Sequence, residues 1–328
     1  MRACSIVWCL HLSLACATAW AADKAEVVGL SAETSRFSWD NDFYFFRDAQ
    51  FSNIFSYQHY SAVTPSLKNP DLWYRQSWAV QQTIHTPQMD TPIQQRNQDV
   101  PFVGSLILQH AWYHFDHRQL DAVAVSVGVA GPLSGAEQTQ EVVHNIRDLA
   151  VFEGWSEQYP SELILNIHML KKRKLNLGQT TKLWDMSVGV GGGFGNLSTH
   201  LAAELEFRLG QDLPAGFAYV PNTFGYHIHT MANRSSADSL EGSLYMSLML
   251  QLNLIAHQLY LDGSLIQSSA KSYKEPIVGL GVLAIHYETL DYGLHFSILR
   301  SSQNVQVSQA KHAIGYEYLG ALTYDWRY

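Results

Sequence analysis

The chain has 328 residues, a formal net charge of −8 and only 15% charged residues. This acidic balance argues against a nucleic-acid partner, because binding to nucleic acid requires a concentrated basic surface. All three cysteines (Cys4, Cys9 and Cys16) lie near the N-terminus. We therefore expect neither thiolate catalysis nor a thiolate metal site in the rest of the chain.

The first residues have the pattern of a secretory signal peptide. Arg2 precedes an apolar stretch over residues 5–15, and Ala19-Trp20-Ala21 supplies a small-x-small cleavage site. The sequence therefore predicts a signal peptide over residues 1–21 and a single mature domain over residues 22–328. A membrane anchor is the alternative, but the apolar stretch is shorter than the roughly 20 residues that a spanning helix needs.

Much of the mature sequence alternates with a period of two. In residues 121–129, valine occupies positions 123, 125, 127 and 129, while alanine, serine and glycine occupy the even positions. The same alternation occurs in residues 163–169, 201–209 and 292–298. A period of two predicts strands with one apolar face and one polar or small face.

The alternation fits two architectures, a soluble β-sandwich and a membrane barrel, which turn the apolar face in opposite directions. The predicted strands often span about 10–15 residues, whereas strands of soluble sheets usually have about 5–6. The chain has 12% aromatic residues and ends on alternating apolar residues up to Tyr328, the form of an outer-membrane assembly signal. These features favour a twelve-stranded antiparallel transmembrane β-barrel in the outer membrane of a Gram-negative bacterium.

The predicted strands cover residues 34–46, 51–64, 72–86, 102–115, 117–130, 161–175, 180–193, 197–211, 243–262, 276–289, 291–302 and 314–328. The apolar phase changes within 243–262, which indicates either one bulged strand or two strands. One strand keeps the even number found in bacterial barrels. The tight connections 115–117 and 289–291 are expected to be periplasmic turns, which puts the connection 131–160 on the extracellular side.

This extracellular connection contains a predicted short helix. Ser134 and Glu137 have capping-box spacing, so their side chains are expected to satisfy free N–H groups at the start of the helix. Gln140 and His144 are four residues apart and therefore share one face. Most histidines on surface helices are simply solvated, but the neighbouring Gln140 and the insertion of a helix into this connection favour a functional His144.

A second polar feature lies in the first predicted strand. Asn41 falls on the same face as Phe37 and Trp39, where an amide facing lipid is costly unless it is covered. Asp40, Asn41 and Asp42 also supply oxygen ligands of the kind that calcium prefers. The alternative is a strand end near the lipid headgroups, where polar residues are tolerated.

A glycine-rich run over residues 189–195 superficially has the composition of a phosphate-binding loop. It lacks the following Lys-Ser/Thr, so we interpret its glycines as turn residues at a strand end.

Several short motifs occur in order along the N-terminal half. They are Asn41-Asp42 before an aromatic residue, Gln50-Phe51-Ser52-Asn53, Asp99-Val-Pro-Phe-Val-Gly104, Gly128-Val-Ala-Gly131-Pro132, Gln140 with His144, and Gly154-Trp155-Ser-Glu-Gln158. This series resembles the motifs of the calcium-dependent lipid A 3′-O-deacylases of Gram-negative outer membranes. The C-terminal half is similar to that family only in its barrel strands.

The resemblance implies a twelve-stranded barrel with a site near the outer leaflet, between the wall and a helix. It implies hydrolysis of the 3′-linked acyloxyacyl ester of lipid A, within lipopolysaccharide, with calcium as cofactor. By position, His144 is the general base and Gln140 belongs with it in the catalytic set. Asn41 and Asp42 belong to the calcium site, and Ser52 takes the place of a family threonine.

The chemistry implied by the resemblance is consistent. A neutral imidazole, with an unperturbed pKa of about 6.5, suits the activation of water. Calcium suits the stabilisation of the oxyanion as a Lewis acid.

The chain departs from the family pattern at three places. Ala150 stands where some members have a glutamate, Asn97 stands where some have a basic residue, and the element at Ser52 lacks its glycine. A non-catalytic barrel, either a pore or an inactive homologue, therefore stays open as a hypothesis. So does an outer-membrane phospholipase, although the Ser-His-Asn motifs of that family are not found.

Overall fold

The structure is a computed structural model. It describes residues 32–45, 50–67, 69, 71–88, 100–146, 148, 154–175, 183–211, 213–221, 242–269, 271–306 and 315–328. The predicted signal peptide lies outside the described residues. Within these ranges, no helix has both the length and the hydropathy needed to cross a membrane.

Twelve long antiparallel strands make up most of the structure. They are β1 (Thr34–Asn41), β2 (Gln50–Tyr60), β3 (Trp73–Thr86), β4 (Val103–Phe115), β5 (Gln119–Ala130), β6 (Glu162–Lys174), β7 (Trp184–Gly195), β8 (Ser198–Gln211), β9 (Ser243–Gln258), β10 (Ile277–Glu288), β11 (Tyr292–Gln303) and β12 (Tyr316–Arg327). A two-residue strand, Thr64–Pro65, extends the edge of β3.

The sheet closes on itself because β1 pairs with both β2 and β12. Every other strand pairs with its neighbours in the chain, so the order around the barrel is the order of the sequence. Closure pairs the strands all around the barrel up to the level of Asn41, as a sheet in a membrane requires. The predicted twelve-stranded antiparallel barrel is confirmed.

Two predicted strands differ from the observed ones. The first ends at Asn41 instead of residue 46, and Asp42–Phe45 forms a 3-10 helix. The predicted strand 243–262 is a single strand, with a bulge between Ile255 and His257. It ends at Gln258, and one helical turn, α2 (Leu259–Asp262), follows.

The two ends of the barrel can be told apart by the chain termini and by the helix that one end carries. The tight turns 116–118 and 289–291 lie at the same end as the start of β1 and the end of β12, which identifies this end as periplasmic. The opposite, outer end carries helix α1 (Ala136–Ile146), flanked by the 3-10 helices Pro132–Ser134 and Trp155–Glu157. The predicted helix is therefore on the extracellular side.

The two faces of the wall have opposite character. Exposed apolar side chains alternate along the outward faces, for example Leu163, Leu165, Ile167 and Met169 on β6. The alternate residues of the same strand point into the lumen and are buried. This arrangement is the reverse of a soluble sandwich and matches a barrel surrounded by lipid.

Buried ion pairs fill the periplasmic half of the lumen. Arg36 Nε lies 2.6 Å from Asp325 Oδ1 across the closing β1–β12 pair. Lys172 Nζ lies 2.8 Å from a carboxylate oxygen of both Glu204 and Glu206. Each of these charges is buried, so removal of one partner would leave an uncompensated charge.

The glycine-rich run is part of a strand, and its prediction as a strand-end turn is wrong. Gly189 and Gly193 lie on the luminal face within β7, and each sits between two side chains of β6 and β8. A Cβ at Gly193 would lie 2.8 Å from His200 and 3.0 Å from His168. The glycines therefore leave room for large luminal side chains to meet over β7.

Residues 213–221, which follow β8, fold into the lumen from the periplasmic end. The ring of Tyr219 lies 4.0 Å from the guanidinium carbon of Arg36. The backbone N–H of Ala218 donates to Glu206 Oε1 at 3.1 Å, and Arg208 donates to the Pro214 carbonyl at 3.1 Å. Burial raises the pKa of Tyr219 to about 12, so its hydroxyl stays protonated at neutral pH. We call residues 213–221 the luminal plug.

We expect the luminal plug to block ion flow through the barrel. The unmodified protein should show no steady conductance in a planar bilayer. Combined Phe217→Gly and Tyr219→Gly substitution removes the two buried plug rings and should produce discrete openings. The outward-facing pair Tyr287→Gly and Tyr292→Gly is the matched control and should stay silent. Steady conductance by the unmodified barrel, or silence of the plug variant when correctly folded, would contradict this expectation.

Candidate functional site

The wall has a gap at its outer end because β1 is shorter than its two neighbours. Asn41 is the last residue of β1 and pairs with Gly320 of β12 and Asn53 of β2. Both neighbouring strands continue beyond this level, β12 by residues 316–319 and β2 by residues 50–52. We call this gap the notch, and the 3-10 helix Asp42–Phe45 contacts both of its sides.

A row of outward-facing residues crosses the wall at the base of the notch. In order around the barrel the row consists of Gly320, Asn41, Asn53, Ile84 and Gly104, each paired with the next. Asn41 is 6% exposed and Asn53 is 4% exposed, although both are on the lipid side of their strands. The predicted cover over the amide of Asn41 therefore exists.

The cover comes from elements that pack on the two glycines at the ends of the row. A Cβ at Gly320 would lie 2.6 Å from Tyr44 Cδ2. A Cβ at Gly104 would lie 2.2 Å from the Cβ of Ala136, the first residue of α1. The 3-10 helix thus lies against β12, α1 lies against β3 and β4, and the two asparagines lie between them.

Ser52 lies beside the notch at an irregular position of β2. The register with β3 shifts between Phe51 and Asn53, so Ser52 is the extra residue of a β-bulge. Bulges redirect side chains and are frequent beside active sites. The Ser52 hydroxyl is buried and lies 2.5 Å from the Thr86 hydroxyl at the end of β3.

Asp42 lies directly after Asn41, where the chain leaves the wall. Its side chain is 4% exposed. The structure therefore brings three of the predicted site residues, Asn41, Asp42 and Ser52, to the same notch.

The buried face of α1 contains both of its predicted site residues. Ala136, Gln140 and His144 are four residues apart and are the buried residues of this helix. Ala136 contacts the wall at Gly104, and His144 follows about 12 Å further along the helix axis at 1.5 Å per residue. His144 is 4% exposed, which excludes the solvated surface histidine that the sequence left open.

Gln140 is held by the second half of the same connection. Trp155 donates its indole N–H to Gln140 Oε1 at 2.8 Å. The Trp155 ring packs on Phe102, with ring centroids 5.0 Å apart, next to β4. This hydrogen bond explains why glutamine at 140 and tryptophan at 155 occur together in the motif series.

The start of α1 differs from the predicted capping box. The helix begins at Ala136, and the Ser134 hydroxyl accepts from the Ala136 N–H at 3.3 Å while it donates to the Gly131 carbonyl. The Glu137 carboxylate accepts from the side chain of Gln158 at 3.4 Å. Glu137 therefore links the two halves of the connection.

An aromatic surface borders the notch on its membrane side. Trp39 and Phe55 stack with ring centroids 6.1 Å apart, and Tyr44 lies 5.9 Å from Trp39. Trp39 also donates its indole N–H to Asn53 Oδ1 at 2.8 Å, which fixes the orientation of that amide. An apolar surface beside polar groups suits an amphipathic lipid.

The lumen is filled behind the notch. Phe51 points inward because of the bulge, and its ring lies 5.0 Å from Tyr260 and 4.9 Å from His85. His85 donates from Nδ1 to the Pro101 carbonyl at 3.2 Å, and the Tyr260 hydroxyl bonds to Ser105 at 2.7 Å. The notch therefore opens toward the membrane and the outside rather than into the barrel.

The donor set at the notch fits a hard cation. Asn41 and Asp42 provide an amide oxygen and a carboxylate, and Asn53 and Ser52 add further oxygens nearby. Calcium binds such oxygen ligands. Within the described ranges, no group of three or more His, Cys, Asp or Glu residues could hold a metal, so amide, backbone or water oxygens would complete the shell.

Sequence reasoning missed several residues of the notch. Asn53 pairs with Asn41, Thr86 bonds to Ser52, and Trp39 bonds to Asn53, but none of the three has metal-ligand spacing in the sequence. Only the registers of β1, β2 and β3 bring them together. Asn97 and Ala150, where the chain departs from the family pattern, lie outside the described residues.

The closed barrel, its lipid-facing surface and its polar notch define an outer-membrane protein with a site at the outer rim of the wall. The chain belongs to the LpxR family, described as outer membrane protein LpxR, whose model matches residues 6–328. This membership confirms the resemblance carried by the N-terminal motifs and assigns the protein to the Gram-negative outer membrane.

The solved structure of LpxR agrees with the fold. LpxR from Salmonella typhimurium is 12% identical, with a TM-score of 0.72 over 90% of this chain and 100% of that chain. The β domain of the Bordetella autotransporter BrkA is 7% identical, with a TM-score of 0.45 over 90% and 99% of the two chains. The COG4313 outer membrane channel from Pseudomonas putida F1 is 10% identical, with a TM-score of 0.45 over 91% and 96%. No curated protein sequence matches this chain.

The contact between Gly104 and α1 provides a test of how the helix is held. Gly104→Ala places a methyl group into Ala136 and should displace α1 from the wall while the barrel stays folded. We expect faster proteolysis of the connection 131–161 and a changed Trp155 fluorescence, together with normal heat-modifiable migration. Gly279→Ala is the matched control, because its nearest atoms are 3.8 Å away. Unchanged proteolysis of Gly104→Ala would contradict this packing.

Proposed function

We propose that the protein hydrolyses the 3′-linked acyloxyacyl ester of lipid A in the outer leaflet of the outer membrane. The main support is the notch, where buried polar side chains lie on the lipid side of the wall at its outer end. Beside it lies a helix whose buried face carries Gln140 and His144. Membership of the LpxR family and the ordered motifs support the choice of substrate.

His144 acts as the general base in this proposal. A neutral imidazole takes a proton from water, and the resulting hydroxide attacks the acyl carbonyl carbon. The tetrahedral intermediate then collapses, the bond to the sugar oxygen breaks, and the imidazolium returns the proton to that oxygen. The products are a free acyloxyacyl acid and a sugar hydroxyl, and no serine nucleophile is needed.

Gln140 positions the helix that carries the base. Its carboxamide oxygen accepts from Trp155, which itself packs on Phe102 of the wall. Gln140 and His144 share one helix face, so this hydrogen bond limits rotation of the face that carries the imidazole.

Ser52 supplies a hydroxyl at the edge of the notch. The Thr86 hydroxyl, 2.5 Å away, fixes the position of the Ser52 hydroxyl, which in this proposal donates to the oxyanion. A preorganised donor of this kind favours the charge that develops in the transition state.

Asn41 and Asp42 would hold the calcium ion, through an amide oxygen and a carboxylate oxygen. Bound calcium supplies Lewis acidity toward the ester carbonyl oxygen. The protein's part is to keep these oxygen atoms buried and fixed. The end of β1 and the 3-10 helix that follows it do so.

The two rival functions have less support. A conducting pore conflicts with a lumen that contains the luminal plug and the buried ion pairs of Arg36 and Lys172. A cavity lined by Gln81, Gln109 and His168 has a volume of about 10 Å³. This is the size of one water molecule and is too small for a conducting channel. A phospholipase is less well supported because the chain belongs to a different family.

Export of the protein also forms part of the proposal. Residues 1–21 would be removed as a signal peptide after Ala21, and the mature chain would insert from the periplasm. The small-x-small sequence Ala19-Trp20-Ala21 supports this step.

Replacement of the proposed base gives the most direct test. His144→Ala should lower release of the acyl chain from lipid A by about 100-fold or more, the usual range for loss of a general base. Mass spectrometry of lipid A from cells expressing the protein measures the 3′-deacylated species. The matched control is His110→Ala, which removes a histidine from the outward face of β4 on the periplasmic side of the notch. Full activity of His144→Ala would refute the role of His144.

Calcium dependence gives a second test. Chelation by EDTA should abolish activity, and calcium should restore it. Asp42→Asn removes a negative charge from the oxygen ligands and should raise the calcium concentration needed for half-maximal activity by about tenfold or more. Terbium luminescence sensitised by Trp39 measures cation binding independently of turnover. Asp121→Asn, whose carboxylate pairs with Arg173 at the periplasmic end, should behave as the unmodified protein. EDTA-resistant activity would exclude the calcium mechanism.

A further inference from the structure

Arg300 is an unusual residue on the outward face of the barrel. It follows Leu294, Phe296 and Ile298 along the outward face of β11 and is exposed near the outer end of that strand. Its guanidinium carbon lies 5.3 Å from the ring centroid of Tyr316 on β12. A cation is therefore held against an aromatic ring on the lipid-facing wall.

The strand registers place Arg300 at the level of the notch. Arg300 pairs with Tyr318, which lies one outward-facing position beyond Gly320, the partner of Asn41. Arg300 is thus two strands from Asn41 and one outward-facing position closer to the outside. With strands about 4.8 Å apart and a rise of about 3.3 Å per residue, the two Cα atoms are roughly 12 Å apart.

The charge environment of Arg300 differs from that of the other cations on the described outward faces. Lys171 and Arg173 lie at the periplasmic end of β6, and both pair with Asp121, at 4.0 Å and 2.9 Å. No ion pair among the described residues includes Arg300. A cation on the lipid face is costly at the centre of a membrane and is tolerated near the headgroups. The exposed cation therefore needs an anion from outside the protein.

The guanidinium of Arg300 suits a phosphate group. Arginine offers two parallel N–H donors that match the oxygens of a phosphate. The Tyr44 ring lies between Phe296 of β11 and Trp39 of β1, so aromatic contacts join the strand that carries Arg300 to the notch.

We propose that Arg300 binds a phosphate group on the sugar of the lipid whose acyl ester lies at the notch. The occupant is a phosphorylated glycolipid of the outer leaflet, and Arg300 determines both the orientation of the sugar and the preference for a phosphorylated substrate. This inference rests on the proposed lipid A deacylase function. It assigns a substrate contact to β11, outside the N-terminal motif series.

The kinetic experiment compares bisphosphorylated and monophosphorylated lipid A as substrates in detergent. Arg300→Ala should raise KM for the bisphosphorylated lipid about tenfold with little change in kcat, and Arg300→Lys should recover most of the difference. The loss should disappear on the lipid that lacks the contacted phosphate. Lys171→Ala is the matched control for loss of an outward cation. No loss on the bisphosphorylated lipid, or an equal loss on it and on both of its monophosphorylated forms, would overturn the proposal.

A binding experiment separates this inference from the proposed reaction. Native mass spectrometry counts lipid A molecules retained by the purified barrel, with or without turnover. Arg300→Ala should retain severalfold less bisphosphorylated lipid A than Lys171→Ala. This result without any acyl release would uphold the phosphate site while refuting the deacylase function. Equal Arg300-dependent retention of phosphatidylglycerol, or displacement of lipid A by millimolar inorganic phosphate, would overturn the assignment to a glycolipid.

Discussion

A barrel wall in a membrane must pair all of its backbone groups, and the pairing of β1 with β12 achieves this closure. The position of the site depends on how early that pairing stops. β1 has eight residues, whereas β12 has twelve, so the wall is complete up to Asn41 and open beyond it. The polar residues at the opening can remain there because Tyr44 and α1 cover the wall at Gly320 and Gly104.

The interior of the barrel is filled with side chains, whereas the candidate site lies on its outward surface. Buried ion pairs, a glycine-lined strand and the luminal plug fill the interior of the barrel, in a chain that has no cysteine after Cys16. Filling the interior frees the outward surface at the outer rim for chemistry. The bulge at Ser52 connects the two regions, since it turns Phe51 inward and leaves Ser52 at the edge of the notch.

The sequence predicts the repeating parts of this structure better than the exceptional ones. Alternation identified the strands because each has a lipid-facing and a luminal side, and the phase change in 243–262 indicated the bulge near Ile255. The same rule failed after Asn41, because the aromatic residues there continue to alternate although the backbone forms a 3-10 helix. The interpretation of the glycines at 189–195 as turn residues was also wrong, because the reason for glycine lies on the neighbouring strands.

Some features of the candidate site could likewise be predicted from the sequence, and others could not. Gln140 and His144 could be placed on one helix face because helical spacing is local, and both are buried together. The pairing of Asn41 with Asn53 and of Ser52 with Thr86 depends on strand register, which a single sequence does not specify. The sequence predicted that the Asn41 amide is covered, because an uncovered amide is costly in lipid. It did not predict that the covering elements pack on two glycines of the wall.

Because the notch opens sideways into the outer leaflet, a lipid reaches it by lateral diffusion and never has to leave the membrane. The lipid and the notch meet within the plane of the membrane. The frequency of these encounters therefore depends on the surface density and mobility of the lipids and not on a bulk concentration. Divalent cations that bridge adjacent lipopolysaccharide molecules slow this diffusion. The packing of the leaflet therefore controls the rate at which lipid reaches the notch. A tightly ordered outer membrane would lower this rate without any change in the folded barrel.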